Sequence, residues 1–254
     1  MSLVTPSIGC LSYNIHKGFR ANNRDYVLSE MRDAIRMTGA DVVGLQEILG
    51  AHHGHAQNHA NWHTQAHFEY LADSVWSTYA YGKNAIYQQG HHGNALLSKL
   101  PFLEFENHDM TQWRFSQRGL LHGLVNWPET NHKRLHIGCV HLGFLPFEQW
   151  RQTRKLLEWI RQIPKDDAFI LMGDFNDWHF RIHRTLLREN CVKEVGSEHF
   201  GKPLASFPAT KPRLPLDRIY YRGLKLDYCE VLWDQEWSEL SDHCPVFANF
   251  LQET

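Results

Sequence analysis

The segment AFILMGDFND, residues 168–177, joins an unbroken apolar run to a cluster of acidic and amide side chains. A short run of bulky apolar residues that ends at a glycine predicts a buried β-strand over residues 168–172. Asp174 and Asn176 then lie at the mouth of that strand, at a rigid edge where a carboxylate can hold a cation or position a water molecule. The same residue types are common in turns and at helix N-caps, so this motif alone does not establish a site.

Similar polar residues stand at the ends of five other predicted strands, which cover residues 8–15, 41–46, 134–141, 216–221 and 244–250. The residues concerned are Asn14 in LSYNIHKG, Glu47 in VVGLQE, His141 in CVHLG, Asp217 in LDRIY, and Asp242 with His243 in SDHCPV. Each motif alone is weak, because polar residues often follow strands. Their repetition at one strand end after another indicates that they converge on a common site.

The remaining pattern predicts the fold class. Strands are predicted over residues 93–98 and 120–126, and amphipathic helices over residues 24–38 and 147–163, the second ended by Pro164. The first helix is expected to bury Val27, Met31, Ala34 and Ile35, and the second Phe147, Trp150, Leu157 and Ile160. Many strands and few long helices predict packed sheets with helices outside them. No repeat or linker is visible, so we expect a single domain over residues 1–254.

Composition limits the class of protein. The chain has 254 residues, 43% hydrophobic and 21% charged, with a formal net charge of -2, so no global basic field indicates a nucleic-acid partner. The five cysteines stand singly at 10, 139, 191, 229 and 244, which argues against a disulfide framework and a thiolate zinc site. No signal peptide or membrane span is visible, so we expect a cytoplasmic protein.

The chemistry of the polar set favours a hard cation. Carboxylate and amide oxygens with some imidazole, and no thiolate, suit Mg²⁺ or Mn²⁺, as one or two ions. Such an ion takes its remaining ligands from water and substrate phosphate, neutralises phosphoryl charge and lowers the pKa of a bound water. An Asp–His pair adds a general base.

These motifs resemble those of the endonuclease/exonuclease/phosphatase superfamily, which has the DNase I-like fold. The matching pieces occur in the family's order from residue 11 to residue 247: SYNIHKG, LQE, GNALLSK, VHLG, GDFND, LDRIYY and SDHCPV. The resemblance is greatest to small single-domain bacterial members. It implies a four-layer α/β/β/α sandwich of two mixed sheets, with a site at their common edge.

The resemblance also implies roles for the site residues. Glu47 would be the principal metal ligand, with Asn14 beside it and Asp242 nearby. Asp174 would orient or activate the attacking water, and Asn176 and His141 would hydrogen-bond the scissile phosphate. His243, oriented by Asp217, is the other candidate for general acid–base catalysis, and the choice between Asp174 and His243 stays open.

Three positions bear on the substrate. His16 and His141 stand where abasic-site nucleases of the family have Asp and Tyr, which argues against an abasic-site repair role but leaves hydrolysis intact. A His at the second place is shared with the DNase I, sphingomyelinase and inositol-phosphatase branches. Arg118, in QRGLL, lies where related proteins carry a basic residue that reaches the substrate phosphate; a surface arginine is the alternative.

The segment 52–67 carries six histidines: His52, His53, His55, His59, His63 and His67. The i, i+4 spacing of the last four would suit a metal site on a helix. No carboxylate or cysteine joins them, and histidine tracts also bind metal adventitiously, so we favour a polar surface segment.

Three functions remain. The first is a phosphodiesterase acting on a small or lipid-linked substrate, favoured by the aromatic segments 112–115 (QWRF) and 143–150 (GFLPFEQW), which would form a rim near His141 and allow peripheral membrane contact. The second is a DNA or RNA endo- or exonuclease, for which Arg151, Arg154, Lys155, Lys211 and Arg213 would form a modest basic track. The third is a catalytically silent binding module on the same fold. No obligate protein partner is evident, and we expect a monomer.

Overall fold

The structure is a computed structural model, which describes residues 7–52, 62–63, 65–87, 90–127, 134–189 and 192–252. The strands are β1 (Ser7–Asn14), β2 (Val42–His52), β3 (Thr78–Tyr87), β4 (Gly90–Ser98), β5 (Phe102–Asp109), β6 (Gly119–Asn126), β7 (Arg134–His141), β8 (Ala168–Asp174), β9 (Lys193–Glu194), β10 (Asp217–Arg222), β11 (Leu224–Val231) and β12 (Val246–Gln252). The helices are α1 (Leu28–Met37), α2 (His67–Ala72), α3 (Pro146–Gln162), α4 (Arg181–Leu186), α5 (Val195–Phe200) and α6 (Gln235–Leu240).

The strands form two six-stranded mixed sheets, with the orders β11-β12-β1-β2-β4-β3 and β5-β6-β7-β8-β10-β9. One parallel pair lies inside each sheet, β1 with β2 and β7 with β8. The carboxyl ends of parallel strands lie at one edge of a sheet, and ligand sites in open α/β sheets form outside such ends. This topology therefore brings the ends of β1, β2, β7 and β8 to the edges where the polar residues stand.

Three buried clusters define the layers. The inner faces of both sheets meet in a central core that includes Cys10, Val42, Leu121 and Met172. Helices α1 and α6 cover the outer face of the first sheet, and α3 and α4 cover the outer face of the second. The four-layer α/β/β/α sandwich is confirmed.

Two predicted elements differ from the observed ones in informative ways. Helix α1 begins at Leu28 rather than at residue 24, because Asn22 Oδ1 accepts the backbone N–H groups of Arg24 and Asp25 in a turn, at 2.9 and 3.3 Å. Strand β2 runs past the predicted end at residue 46. Its register with β4 shifts between Leu45 and Ile48, so that Glu47 lies in a bulge within the strand rather than after it.

The predicted buried face of the second helix was wrong at Phe147 and Trp150, which are 50% and 54% exposed, whereas Ile160 is buried and Leu157 packs against the same cluster, as predicted. The buried face of α3 also carries Glu148, Gln149, Gln152, Thr153, Leu156 and Trp159. Polar side chains can lie on a buried face where neighbouring loops satisfy them. Gln152 does so by accepting the Gly143 N–H at 2.9 Å and donating to the Met110 carbonyl at 3.2 Å.

Four of the five cysteines lie among the described residues. Cys10, Cys139, Cys229 and Cys244 are buried and free; Cys191 lies outside the described residues. In the described part of the chain, no helix is long and apolar enough to cross a membrane.

Candidate active site

Three predicted site residues form one row across the second sheet. In the strand registers, Asp174 at the end of β8 is paired with His141 of β7 on one side and with Asp217 of β10 on the other. Gly173, with φ +145°, allows β7 to approach closely, since a Cβ there would lie 2.0 Å from the Val140 carbonyl oxygen. The row is therefore fixed by backbone pairing and not by flexible loops.

The Asp174 carboxylate is buried at the centre of the site. Its Oδ2 accepts the Asn14 side-chain amide at 3.1 Å, which joins the first sheet to the second. His141 Nε2 and His243 Nε2 lie 3.5 and 3.9 Å from the same oxygen. Burial raises the pKa of Asp174 to about 7. The His243 charge opposes this shift, and the Asp217 charge adds to it.

Asp217 and His243 form a buried pair. The Nδ1 atom of His243 lies 2.8 Å from Asp217 Oδ2, and the Ser206 hydroxyl donates to the same oxygen at 2.6 Å. Burial disfavours the imidazolium, but the Asp217 charge and hydrogen bond outweigh it and raise the pKa of His243 to about 10. His243 Nε2 is thereby directed toward Asp174.

His141 is fixed in one tautomer. Arg118 Nη1 lies 3.3 Å from His141 Nδ1. Because a guanidinium only donates, Nδ1 must accept, and the proton is on Nε2, facing Asp174. Burial and the Arg118 charge lower the pKa of His141 well below its usual value, so the ring is neutral. Arg118 thus lies beside His141, and its predicted contact with a substrate phosphate stays a prediction.

Glu47 projects from the bulge of β2 with a left-handed backbone, φ +57°. Its Oε2 lies 3.3 Å from Lys17 Nζ. Burial opposes ionisation of this carboxyl group, but nearby basic side chains, among them the Lys17 ammonium, lower its pKa below its usual value. Glu47 is therefore an ionised, partly accessible carboxylate, in a strained backbone conformation typical of functional positions.

Asp242, the third predicted metal ligand, lies beside His16, with its Oδ1 3.3 Å from His16 Nδ1. The structure thus divides the predicted metal ligands: Asn14 bonds to Asp174, whereas Glu47 and Asp242 each face a basic side chain. A different set, Asp174, Asp217 and His243, has ligand atoms within 4.8 Å of one another and could hold a metal ion.

Asn176 also has a left-handed backbone, with φ +49°. Its backbone N–H donates to Asp174 Oδ1 at 2.9 Å, and its side-chain amide donates to the Leu142 carbonyl at 2.9 Å. Gln149 of α3 donates to the backbone carbonyls of Asn176 and Gly143, at 2.7 and 3.0 Å. One helix side chain therefore joins the loop after β7 to the loop after β8.

Sequence reasoning missed several residues of the site. His92 of β4 interacts electrostatically with Glu47, Lys17 and Arg118, and its Nδ1 is buried without a hydrogen-bond partner among the described residues. Burial lowers the pKa of His92 to about 4 despite the Glu47 charge. Its position in GHHGNALLS, two residues before the matched Asn94, was the available signal. Gln149 gave none, because it was assigned to a helix with the wrong buried face.

The structure describes only part of the histidine-rich segment 52–67. His67 Nε2 lies 3.0 Å from the Tyr26 hydroxyl, and His63 stacks on Tyr70 with ring centroids 3.7 Å apart. The side chains of His52, His53, His55 and His59 lie outside the described residues, so the choice between a surface segment and a metal site stays a prediction.

Exposed aromatic side chains stand on the loops that follow β5, β7 and β8 and on the first turns of α3. We call them the aromatic rim: Trp113, Phe115, Phe144, Phe147, Trp150 and Trp178. Trp113 stacks on Phe115, and Phe147 on Trp150, with ring centroids 6.2 and 5.9 Å apart. The Ser116 hydroxyl donates to Glu148 Oε1 at 2.6 Å and so holds the first pair against α3, which carries the second.

Comparison with known proteins identifies relatives over nearly the whole chain. The Endonuclease/Exonuclease/phosphatase family matches residues 11–243. The uncharacterized protein YbhP of Escherichia coli (strain K12) is 40% identical over 242 residues, 95% of each chain.

Solved structures share the fold at low identity. An endonuclease/exonuclease/phosphatase from Beutenbergia cavernae has a TM-score of 0.76 and 15% identity, over 97% of this chain and 72% of that one. Zebrafish (D. rerio) TDP2 complexed with a single-strand DNA product has a TM-score of 0.72 and 19% identity, over 96% and 98%. The human Nocturnin catalytic domain with bound sulfate has a TM-score of 0.73 and 16% identity, over 98% and 96%. These structures show the fold, and the family match over residues 11–243 shows that the chain belongs to the endonuclease/exonuclease/phosphatase family.

Proposed function

We propose that this protein is a divalent-metal-dependent phosphodiesterase whose substrate is small or lipid-linked. The observation that carries the proposal is the convergence on Asp174, whose Oδ2 accepts Asn14 at 3.1 Å and faces His141 and His243 at 3.5 and 3.9 Å. Two carboxylates, two imidazoles and two amides then surround one point at the joined edges of two sheets. Members of this family are generally hydrolytic phosphoesterases.

The residues of the site fit a hard cation. Glu47 is ionised and Asp242 is partly exposed, and both offer oxygen, the ligand type that Mg²⁺ and Mn²⁺ prefer. Asn14 offers an amide oxygen, and no cysteine is among these residues. We assign the ion to Glu47, Asn14 and Asp242, because Asp217 and His243 already bond to each other at 2.8 Å. A second ion at the Asp174 cluster is the alternative. The bound ion would neutralise phosphoryl charge and lower the pKa of a coordinated water.

The other side chains of the site would bind the phosphoryl group and transfer protons. His141 presents an Nε2–H, and Arg118 a guanidinium, for the negative charge that develops on the phosphoryl oxygens. Asn176, whose position is fixed by Gln149 and Leu142, offers a further amide donor. Asp174 and His243 both face the position of the attacking water. Because the pKa of His243 is raised to about 10, its imidazole is protonated and can act as a general acid, which leaves Asp174 as the group that can accept the proton of the water. Asp217 orients His243 and stabilises its cationic form.

The aromatic rim favours a lipid-linked substrate, or a small substrate that stacks on aromatic rings, over a nucleic acid. Its six side chains are large, apolar and solvent-exposed beside a polar site, whereas the net charge of the chain is -2. Exposed aromatics beside a site suit a membrane interface, where an apolar ring lies next to polar head groups. TDP2, which was solved with a DNA product, is the reason to keep the nuclease as the second candidate.

We further propose one domain over residues 1–254 that acts as a monomer without an obligate protein partner. The free thiols of Cys10, Cys139, Cys229 and Cys244 favour a reducing compartment, the cytoplasm.

A substrate panel tests the proposal. Hydrolysis of a glycerophosphodiester, anionic phospholipid vesicles, single-stranded DNA and duplex DNA is measured with Mg²⁺ and with EDTA. We expect metal-dependent turnover of the first two, and a selective loss of vesicle turnover in Trp150→Ser but not in Phe200→Ser, an exposed aromatic on α5. Metal-dependent turnover of DNA alone, with a steep salt dependence, would contradict the proposed substrate class and support the nuclease. No turnover, together with no metal binding, would favour the binding module.

A further inference from the structure

A cleft of about 310 Å³ lies between helices α3 and α4, which cover the outer face of the second sheet. Its α3 wall includes Gln149, Trp150, Thr153 and Leu157, which lie on one face of that helix because they are three or four positions apart. Its α4 wall includes Ile182. The volume is at the lower end of the range for pockets that bind small ligands. We call the buried part of the cleft its floor and the solvent-exposed part its mouth.

The floor of the cleft is apolar, and its side-chain donors are already bonded. Ile182 is buried, and Leu157 packs against the buried cluster below α3. The hydroxyls of Thr153 and Thr185 each donate to a carbonyl of their own helix, at 2.6 and 2.8 Å. The Gln149 amide donates to the loops after β7 and β8. A group that enters the floor therefore gains burial of apolar surface and few hydrogen bonds, so the floor suits a hydrocarbon group.

The mouth of the cleft carries two arginines, Arg154 and Arg181, and both residues are exposed. The Arg154 guanidinium lies over the exposed ring of Trp150, 5.3 Å from the ring centroid. Among the described residues, neither guanidinium forms an ion pair with a carboxylate. An arginine in this situation presents its N–H donors to a bound anion, and its planar fork matches a phosphate group.

The surface around the mouth is basic, although the net charge of the chain is -2. Apart from the buried Glu148, every charged residue of α4, and of α3 as far as residue 157, is basic: Arg151, Arg154, Lys155, Arg181 and Arg184. Arg151 lies over the ring of Phe147, 4.7 Å from its centroid, so the basic groups are interleaved with the aromatic rim. The mouth therefore combines positive charge with exposed aromatic rings.

We propose that this cleft binds one anionic phospholipid of a bilayer and so docks the protein on an anionic membrane. An acyl chain would lie against Ile182 and Leu157, and the lipid phosphate would accept hydrogen bonds from Arg154 and Arg181. Trp150 belongs both to the cleft and to the aromatic rim, and tryptophan favours the boundary between head groups and acyl chains. A nucleic acid would use the arginines but would leave the apolar floor unfilled, which is why we favour the lipid.

The active site would then face the same membrane. The Gln149 side chain lines the cleft and donates to the carbonyl of Asn176 in the active-site loop, at 2.7 Å. The inference rests on the proposed lipid-linked substrate class, but its test does not depend on turnover. Binding is measured in EDTA, where metal-dependent hydrolysis does not occur, so a failure to dock and a failure to hydrolyse are distinguishable.

Sedimentation with lipid vesicles tests the proposal. We expect binding to vesicles that contain phosphatidylglycerol and much weaker binding to pure phosphatidylcholine. Arg154→Gln and Arg181→Gln should each weaken binding about fivefold, the effect of one basic residue near an anionic surface. Thr185→Trp, which fills the cleft without a change in charge, should weaken it about tenfold, the effect of about two methylene groups left unburied.

Two controls separate the cleft from a merely basic surface. Arg24→Gln, at an exposed arginine before α1, makes the same change in charge and should leave vesicle binding unchanged. In wild type, a soluble short-chain phosphatidylglycerol should displace the protein from vesicles, whereas glycerol phosphate at the same concentration should not. Circular dichroism checks that each variant folds.

Three results would overturn the proposal. The first is vesicle binding that is unchanged in the folded variant with both Arg154→Gln and Arg181→Gln. The second is equal displacement by glycerol phosphate and by the short-chain lipid, which would leave the floor without a role. The third is displacement from vesicles by single-stranded DNA whose own binding is weakened in both arginine variants, which would make this surface a nucleic-acid site.

Discussion

The Nδ1 atom of His243 lies 2.8 Å from Asp217 Oδ2, and the Ser206 hydroxyl holds that same oxygen at 2.6 Å. This buried pair leaves only Nε2 of His243 facing Asp174 and the site. The geometry is that of an orienting carboxylate behind an acid–base imidazole.

Removal of this imidazole should slow catalysis. His243→Ala should lower kcat/KM for bis-p-nitrophenyl phosphate by at least about 10²-fold, the lower limit for general acid–base groups. Asp217→Asn should also lower it, because an amide cannot stabilise the imidazolium. His199→Ala is the matched control. A loss smaller than tenfold in His243→Ala would remove His243 from the mechanism.

Gln149 should act as a positioning residue. Its amide joins the carbonyls of Gly143 and Asn176, so Gln149→Leu should release both loops and lower kcat by up to about 10²-fold, as misplacement of a reacting group does. KM should change less than kcat. Gln162→Leu, at the exposed end of α3, should have little effect. An unchanged kcat in Gln149→Leu would show that the loops hold their positions without it.

Asp177 is expected to stabilise the fold and not to catalyse. It forms a fully buried ion pair with Arg218, at 2.8 Å, and accepts the backbone N–H groups of Arg181 and His183 at the start of α4. Asp177→Ala leaves the guanidinium unpaired and should reduce the free energy of unfolding by about 3–5 kcal/mol, measured by urea denaturation. Glu198→Ala, in an exposed pair with Lys193, should change little. Equal effects of the two substitutions would contradict the assignment.

His122, on the outer face of the second sheet beside His136, His108 and Trp159, should make the protein sensitive to acid. Burial, with His136 and His108 nearby, lowers the pKa of His122 to about 4 from about 6.5 in the unfolded chain. Between these values only the unfolded state binds the proton, so stability is present above pH 6.5 and is lost as the pH falls toward 4. In His122→Gln the loss of unfolding free energy between pH 7 and pH 5 should be at least about 1 kcal/mol smaller than in wild type. An identical loss in both proteins would contradict this pKa.

The sequence predicted the layers, and the shared sheet edge of three polar residues, more reliably than the details of packing. Asp174, His141 and Asp217 each stand next to an apolar run in the sequence. Their position at one edge of a sheet could therefore be predicted from the pattern of apolar runs. Periodicity alone predicted only packed sheets with helices outside them. The four-layer arrangement was predicted from the resemblance to a known family.

The differences arose where tertiary contacts override local pattern. Helix α3 exposes Phe147 and Trp150 because the loops after β7 and β8 need hydrogen bonds from Gln149 and Gln152 on the opposite face. Glu47 lies in a β-bulge, which a run of apolar residues does not reveal. His92 reaches the site from β4, where its place two residues before the matched Asn94 was the one local signal of its proximity to Glu47.

The measurement that tests the central claim most directly is the Mg²⁺ dependence of bis-p-nitrophenyl phosphate hydrolysis in wild type and in Glu47→Gln. Glu47→Gln keeps the shape of the side chain and removes only its charge, and circular dichroism checks the fold. We predict Mg²⁺-stimulated turnover in wild type that EDTA abolishes and that Glu47→Gln lacks. Turnover in Glu47→Gln with the same Mg²⁺ dependence as wild type would contradict the assignment of the metal to this carboxylate.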